Sequence, residues 1–508
     1  MWQRRAVAFI GAAFGLGLIG TLAGPRWRPK PLERALSPES EDTSVGPTHT
    51  EPSLGVIREL RRLPLGAGDA IVEVARPDAP GQWPAVVFAH GAGTGNHTAF
   101  TEHIEALAAR GIACLVPDKQ LATYTQFHRD YEAMGREYYD LAEWAREQEW
   151  ADPLRVGYWG ESEGSWIVPV AVGLDPRAAF LLLVSAPGVT PRGQSLFSAC
   201  AYLRNTEVPE GLLHAVPRLL GGPMPAGRFD YADWDAEPLL SFVDCPVFVA
   251  YGTQDTSVPQ IQGAWNLREA LGEGGNDAVA VRYYDANHGM RVGEDTRLCQ
   301  RFISDAADWV CGLPATGRPA VQVAGVEPRQ PFWVIPAPKV RWFGRLAVQG
   351  WFGGICLGLA GGVPLIRAMA RGFGVKPSRL PVALRMPFGV FVGGALASVL
   401  GFAAYVARVA RLATTYRRDP ITVQGGYRAV RGVAAASVAG GVLFWSRLMD
   451  HRGPPRGASR RGGHTSPPLT RAQVVRITAG SVGAVGLLIF GSYWGILPLE
   501  PRSADIPR

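Results

Sequence analysis

The chain has 508 residues, 47% hydrophobic and 10% aromatic, which excludes an intrinsically disordered protein and exceeds what one ordinary domain holds. Charge divides it: 20 basic and 4 acidic residues from Leu346 to Arg508, against 31 and 40 before it, make +16 and −9 out of the overall +7. The basic residues of the second part alternate with long uncharged apolar runs, a membrane pattern, so no nucleic-acid partner is expected.

Met1–Arg5 carries two arginines, and Ala6–Gly24 has no charge. Residues 1–24 therefore read as a signal peptide or a transmembrane anchor. The cleavage-site candidate, Thr21-Leu22-Ala23, is poor and favours the anchor. Residues 25–53, rich in Pro, Ser, Glu and Thr without periodicity, predict a disordered linker. From 54 to 313, β-branched runs alternate with helical ones. Strands are predicted at Ala70–Ala75, Ala85–Ala89, Ile112–Val116, Arg155–Trp159, Ala179–Val184, Val247–Tyr251 and Val279–Tyr284. Helices are predicted at Phe100–Arg110, Tyr131–Trp150, Ser165–Leu174 and Gly263–Leu271. This βαβ alternation predicts an α/β fold with a doubly wound, mostly parallel sheet. An interruption at 187–238 predicts a small cap over the sheet's edge, and 314–345 reads as a Pro-rich linker.

Residues 346–499 predict an α-helical membrane bundle. Four uncharged stretches stand out: Leu346–Ile366, Met386–Ala407, Gly432–Ser446 and Ile477–Leu499, the third short for a span. Gly350, Gly354, Gly358 and Gly362 fall on one helical stripe. Gly389, Gly393, Ala397 and Gly401 form a second, and Gly432, Ala436 and Gly440 a third. Small residues at this spacing predict close helix packing and self-association. The loops holding Arg367 to Arg385 and Arg447 to Arg476 are basic and share a side, which predicts a cytoplasmic face for both and an extracytoplasmic 54–313 domain, as in a bacterial plasma-membrane protein. The intervening basic loop, Arg408 to Arg428, points the other way. Five spans would place the tail, 500–508, on the side of the 54–313 domain; four would place it opposite.

Gly160-Glu161-Ser162-Glu163-Gly164 fits G-x-S-x-G between a predicted strand and a predicted helix, where a serine is pushed above the sheet edge. Serine is a weak nucleophile and needs a base, which needs a carboxylate to fix its tautomer. His288 follows the last predicted strand and Asp255 the one before, so Ser162, Asp255 and His288, each after a successive strand, converge on one edge. The turn His90-Gly91-Ala92-Gly93 suits half of an oxyanion hole, with the backbone N–H groups of Ala92 and Glu163 as donors. His90 and Asp118 read as loop braces, and Glu161 and Glu163 as orienting or solvated. The six cysteines contain no CxxC pair, so no metal site is predicted. Cys114 and Cys245 read as buried thiols, and a Cys299–Cys311 bridge stays open if the domain is exported.

These motifs, with Cys245-Pro246-Val247 and Gly252-Thr253-Gln254-Asp255 ahead of Val258-Pro259, resemble the α/β-hydrolase superfamily, in its dienelactone-hydrolase and prolyl-oligopeptidase-like branch, over about 56–313. The resemblance implies Ser162 as nucleophile, Asp255 as acid and His288 as base, with no cofactor. Dienelactone hydrolases proper use cysteine as nucleophile, which makes that substrate doubtful. The residues predict a membrane-anchored serine hydrolase acting on an ester, thioester or amide, small or lipid-like. A serine peptidase, an acyltransferase, and a non-catalytic membrane binding or transport protein are the alternatives. The four uncharged stretches hold no Asp, Glu, Lys, Arg or His, which argues against an ion relay.

Overall fold

A computed structural model describes residues 2–24, 27, 30–32, 34–45, 53–66, 68–93, 95–213, 215–223, 227–293, 296–313, 321–372, 379–415, 417–452 and 468–497. The expected tail at 500–508, and parts of both expected linkers and of the last basic loop, lie outside the described residues. Two compact units emerge, neither continuous in sequence. One comprises Arg28–Ser198 and Ala226–Pro336; the other comprises Met1–Trp27, Ala199–Pro225 and Ala337–Asp505.

The first unit is built on β1 (Val56–Leu65), β2 (Gly68–Pro77), β3 (Trp83–Ala89), β4 (Ala113–Pro117), β5 (Ala151–Glu161), β6 (Leu181–Val184), β7 (Val247–Gly252) and β8 (Val279–Tyr284). They lie side by side in the order β1-β2-β4-β3-β5-β6-β7-β8, with a short strand Val323–Gly325 beyond β8. Pairing is antiparallel for β1 with β2 and β2 with β4, and parallel elsewhere. Alternation of side chains explains why both faces are buried. Ala85, Val87 and Ala89 face a core completed by the helices Tyr131–Arg146, Gly164–Leu174 and Gln260–Glu273. Val86 and Phe88 face the opposite core, closed by Thr101–Ala108 and Gln300–Cys311.

All seven expected strands are present. The hidden one, β1, reads Val-Ile-Arg-Glu-Leu-Arg-Arg-Leu-Pro-Leu; its charges mask the pattern because an edge strand faces water. The two linkers are more ordered than composition suggests. Val323–Gly325, within the expected 314–345 linker, pairs with β8, and Ser40, from the expected 25–53 linker, bridges to Ala324. The Thr43 hydroxyl, buried, donates to Asp305. An open sheet edge offers backbone partners that a polar, non-periodic segment can use without apolar side chains. Cys299 and Cys311 are free thiols at opposite ends of one helix, Gln300–Cys311, about 17 Å of helix apart, too far for a bridge.

The second unit contains the helices Trp2–Leu22, Leu346–Gly372, Val382–Thr414, Gly426–Arg452 and Arg471–Tyr493. Among the described residues, four stretches are long and apolar enough to cross a membrane: Gln3–Leu22, Val382–Ala413, Ile421–His451 and Arg471–Tyr493. Gly432–Ser446, short on its own, is therefore the middle of a longer helix, while in Leu346–Gly372 the apolar part, Leu346–Gly362, is the short one. The glycine stripes make only a few of the contacts expected of them. A Cβ on Gly350, Gly354, Gly358, Gly362, Gly389, Gly393 or Gly432 would meet nothing within 4 Å. Close approach occurs at Gly440 of the third stripe, on Phe391, and off the stripes at Gly394 on Ser437 and Gly483 on Ala360. The expected cap is divided too: residues 199–225 belong to this unit, with Val208 and Leu212 in its core. Buried Arg218 donates to the carbonyls of Gly20, at 2.7 Å, and Tyr493, capping the C-terminal ends of two helices, where a cation is favoured.

Candidate active site

β5 ends at Glu161 and the next helix begins at Gly164, so Ser162 must carry the turn. Its φ is +52°, a left-handed conformation that costs a non-glycine residue free energy. The turn is tight enough to require both flanking glycines. A Cβ on Gly160 would sit 2.7 Å from Val168, and one on Gly164 would sit 2.3 Å from the Ala89 carbonyl oxygen. The Ser162 N–H donates to the Val184 oxygen at 2.8 Å, and its own carbonyl accepts from the Ser165 hydroxyl at 2.6 Å. The serine is thus held against the end of β6 while the N-terminus of Gly164–Leu174 points toward it.

Asp255 and His288 are joined: Nδ1 of His288 lies 2.7 Å from Asp255 Oδ2, and the Asp255 side chain is fully buried. The other carboxylate oxygen accepts the Ser257 N–H at 2.6 Å, which fixes its orientation. The His288 loop is held from both sides. Asn287 Oδ1 accepts the N–H groups of Gly289 and Arg291, both at 3.0 Å, and the Ser185 hydroxyl donates to the His288 carbonyl at 2.7 Å. Ser185 directly follows β6, so the histidine loop and the serine turn are tied to the same strand end. The three residues therefore follow β5, β7 and β8, with β6 between, rather than successive strands. The Ser162 hydroxyl makes no hydrogen bond to a described residue, a looseness usual in unliganded sites.

Burial opposes charge on His288, but the carboxylates of Asp255 and then Glu161 outweigh it and hold the imidazole up at about 9. Burial raises the Glu161 carboxyl, against the pull of His288. Glu161 is thus a second carboxylate acting on the histidine, which the motif alone did not reveal.

The turn after β3 lies opposite. Ala92 is exposed, and neither its N–H nor that of Glu163 has an acceptor among the described residues. His90 is buried, with Nε2 at 2.6 Å from the Pro117 carbonyl; burial lowers its pKa to about 4, so it is neutral and donates there. Asp118 accepts from the His97 N–H at 2.8 Å. Both act as braces, as their positions suggested. Glu163 is not solvated: its carboxylate is buried among Lys119, Arg129 and Tyr131. No sequence signal marked Lys119, Arg129 or Tyr131, because they precede or follow strands and helices without a motif.

Residues 98–311 match the family model of the prolyl oligopeptidase family. The domain has an α/β-hydrolase fold, and the matched segment is similar to the prolyl oligopeptidase family. Solved structures similar to this hydrolase domain include a 2,6-dihydroxy-pseudo-oxynicotine hydrolase, with 18% identity, 53% of this chain and 71% of that chain covered, and a TM-score of 0.37. An esterase of Pyrobaculum calidifontis matches with 20% identity over 52% of this chain and 85% of its own, at a TM-score of 0.35. Dipeptidyl peptidase 4 of Porphyromonas gingivalis matches with 14% identity over 50% of this chain and 35% of its own, at 0.36. No curated protein matches the chain.

Proposed function

We propose that the chain is a membrane-anchored serine hydrolase that cleaves an ester through an acyl-enzyme on Ser162. The observation that carries the reading is the strained Ser162 turn tied, through β6, to a hydrogen-bonded His288–Asp255 pair. Ser162 attacks the acyl carbonyl, His288 takes the hydroxyl proton and returns it to the leaving group, and Asp255 holds the tautomer and stabilises the imidazolium. The N–H groups of Ala92 and Glu163 receive the oxygen's developing charge. Water, activated by His288, then releases the acyl group. Thioesters and amides fit the same machinery. The apolar helices support membrane anchoring, and an outer placement of the hydrolase domain requires Leu346–Gly372 to cross the membrane as a fifth span.

The test is turnover of p-nitrophenyl acyl esters by the full chain in detergent. Ser162→Ala is expected to lower kcat by on the order of 10⁶ and to abolish labelling by a fluorophosphonate. Unchanged turnover or labelling would sink the assignment. The family match favours one other substrate class, short peptides. A peptide that outcompetes esters of equal acyl size would move the reading to a peptidase.

A further inference from the structure

Lys119 is the unexplained group of this site. Its side chain is fully buried, and its ammonium spends all three protons: on the carbonyl of Gly91 at 2.6 Å, that of Gly93 at 3.0 Å, and Glu163 Oε2 at 3.1 Å. It also lies 3.9 Å from the centre of the Tyr124 ring, whose hydroxyl accepts the Gly93 N–H at 2.7 Å. Charge pairing alone does not call for it. Glu163 already meets Arg129 and the Tyr131 hydroxyl, the latter at 2.8 Å, and a second buried cation leaves the cluster with an excess positive charge. Burial lowers the Lys119 pKa to about 8 while Glu163 opposes the shift, so the cation persists at neutral pH. Burying a charge is costly unless it is hydrogen-bonded, and two of the three acceptors here are the carbonyls on either side of Ala92.

Peptide planarity makes this consequential. In a trans peptide the C=O of one residue and the N–H of the next point in opposite directions. Fixing the Gly91 oxygen on Lys119 therefore fixes the Ala92 N–H on the opposite side of the turn. Gly93, at φ +112°, is held by both its N–H and its oxygen, so the turn cannot relax by rotating there. The carboxylate that completes the clamp belongs to Glu163, whose own N–H is the other donor of the oxyanion site.

We propose that Lys119 is a positioning residue that couples the two oxyanion donors, aiming the Ala92 N–H by holding the carbonyls on either side of it against Glu163. The inference rests on the acyl-enzyme reading above. Lys119 touches no reacting atom, so its loss should weaken transition-state binding and spare ground-state binding. In the full chain in detergent, Lys119→Met is expected to lower kcat for a p-nitrophenyl ester by about 10²–10³, the usual cost of one oxyanion donor, with KM within about threefold. Affinity for a trifluoromethyl ketone, which places an oxyanion in the site, should fall by the same factor. Lys119→Arg keeps the charge but cannot bring three protons to the same three acceptors; it is expected to recover part of kcat at unchanged KM, and it serves if the methionine variant does not fold. A kcat within threefold of the parent in the methionine variant, or in either variant a loss carried by KM with ketone affinity unchanged, would overturn the inference. Failure of the underlying reading looks different: Ser162→Ala would remain active whatever Lys119 does.

Discussion

The two units of this chain use glycine in opposite ways. In the hydrolase unit the glycines of the motif sit where a side chain would collide: Gly164 lies against the Ala89 carbonyl, and the turn exists because nothing larger fits. In the helical unit the most regular glycine series, Gly350 to Gly362, faces open space, while contacts fall on Gly440 of another series and on Gly394 and Gly483, which belong to none. A sheet has two faces fixed by a period of two, and its turns have fixed positions, so residue and environment are tightly coupled. A helix apolar on all sides carries no marker of which side meets its neighbour.

Substitutions can sharpen this contrast. The largest effect is expected from Gly164→Ala, whose new methyl would overlap backbone; it should cost about 1–3 kcal/mol in thermal unfolding and disable ester turnover with it. Gly483→Ala tests the same collision among the helices, with a Cβ 2.6 Å from the Ala360 nitrogen, and should cost a comparable amount through helix separation. Tolerance of both would erase the distinction between packed and unpacked glycines. Gly354→Ala should change stability by no more than about 0.5 kcal/mol, because its methyl enters empty space. A large loss there would mean that another molecule covers the stripe.

A milder effect concerns pH. His288 is held at about 9, well above its ordinary 6.5, so below about 9 it is protonated and cannot act as a base. The ratio kcat/KM should therefore rise with pH through that value. The stability linked to the pair runs the other way: it is complete below about 6.5 and is lost as pH rises through about 9. Glu161→Gln removes one of the two carboxylates acting on the histidine and should move the rising limb to lower pH without removing activity. A limb that stays in place would show that Asp255 alone sets the charge.

How much of this was legible in the sequence follows from how locally each feature is encoded. Ser162, His288 and Asp255 sit in short motifs at strand ends, where chain order and chemistry agree, and the structure brings His288 and Asp255 together. Lys119 and Glu163 were opaque as a pair because 44 residues separate them, and their contact depends on β4 and β5 lying on either side of β3. The edge pairing of Ser40 with Ala324 was opaque for another reason, since backbone hydrogen bonds leave no trace in side-chain pattern.

The position of Arg218 has a consequence in time. It closes the carbonyl end of a helix that is finished early, at Gly20, and of one that ends at Tyr493, 275 residues after it. At roughly 5–20 residues per second, a ribosome needs tens of seconds to supply that second partner. Through this interval Arg218, Val208 and Leu212 are already made but lack their final neighbours, so residues 199–225 wait for the last helix. A fragment ending near Leu313 would keep that segment in its unfinished state permanently. Excision at the expected boundaries, 54 and 313, should therefore yield an aggregation-prone piece.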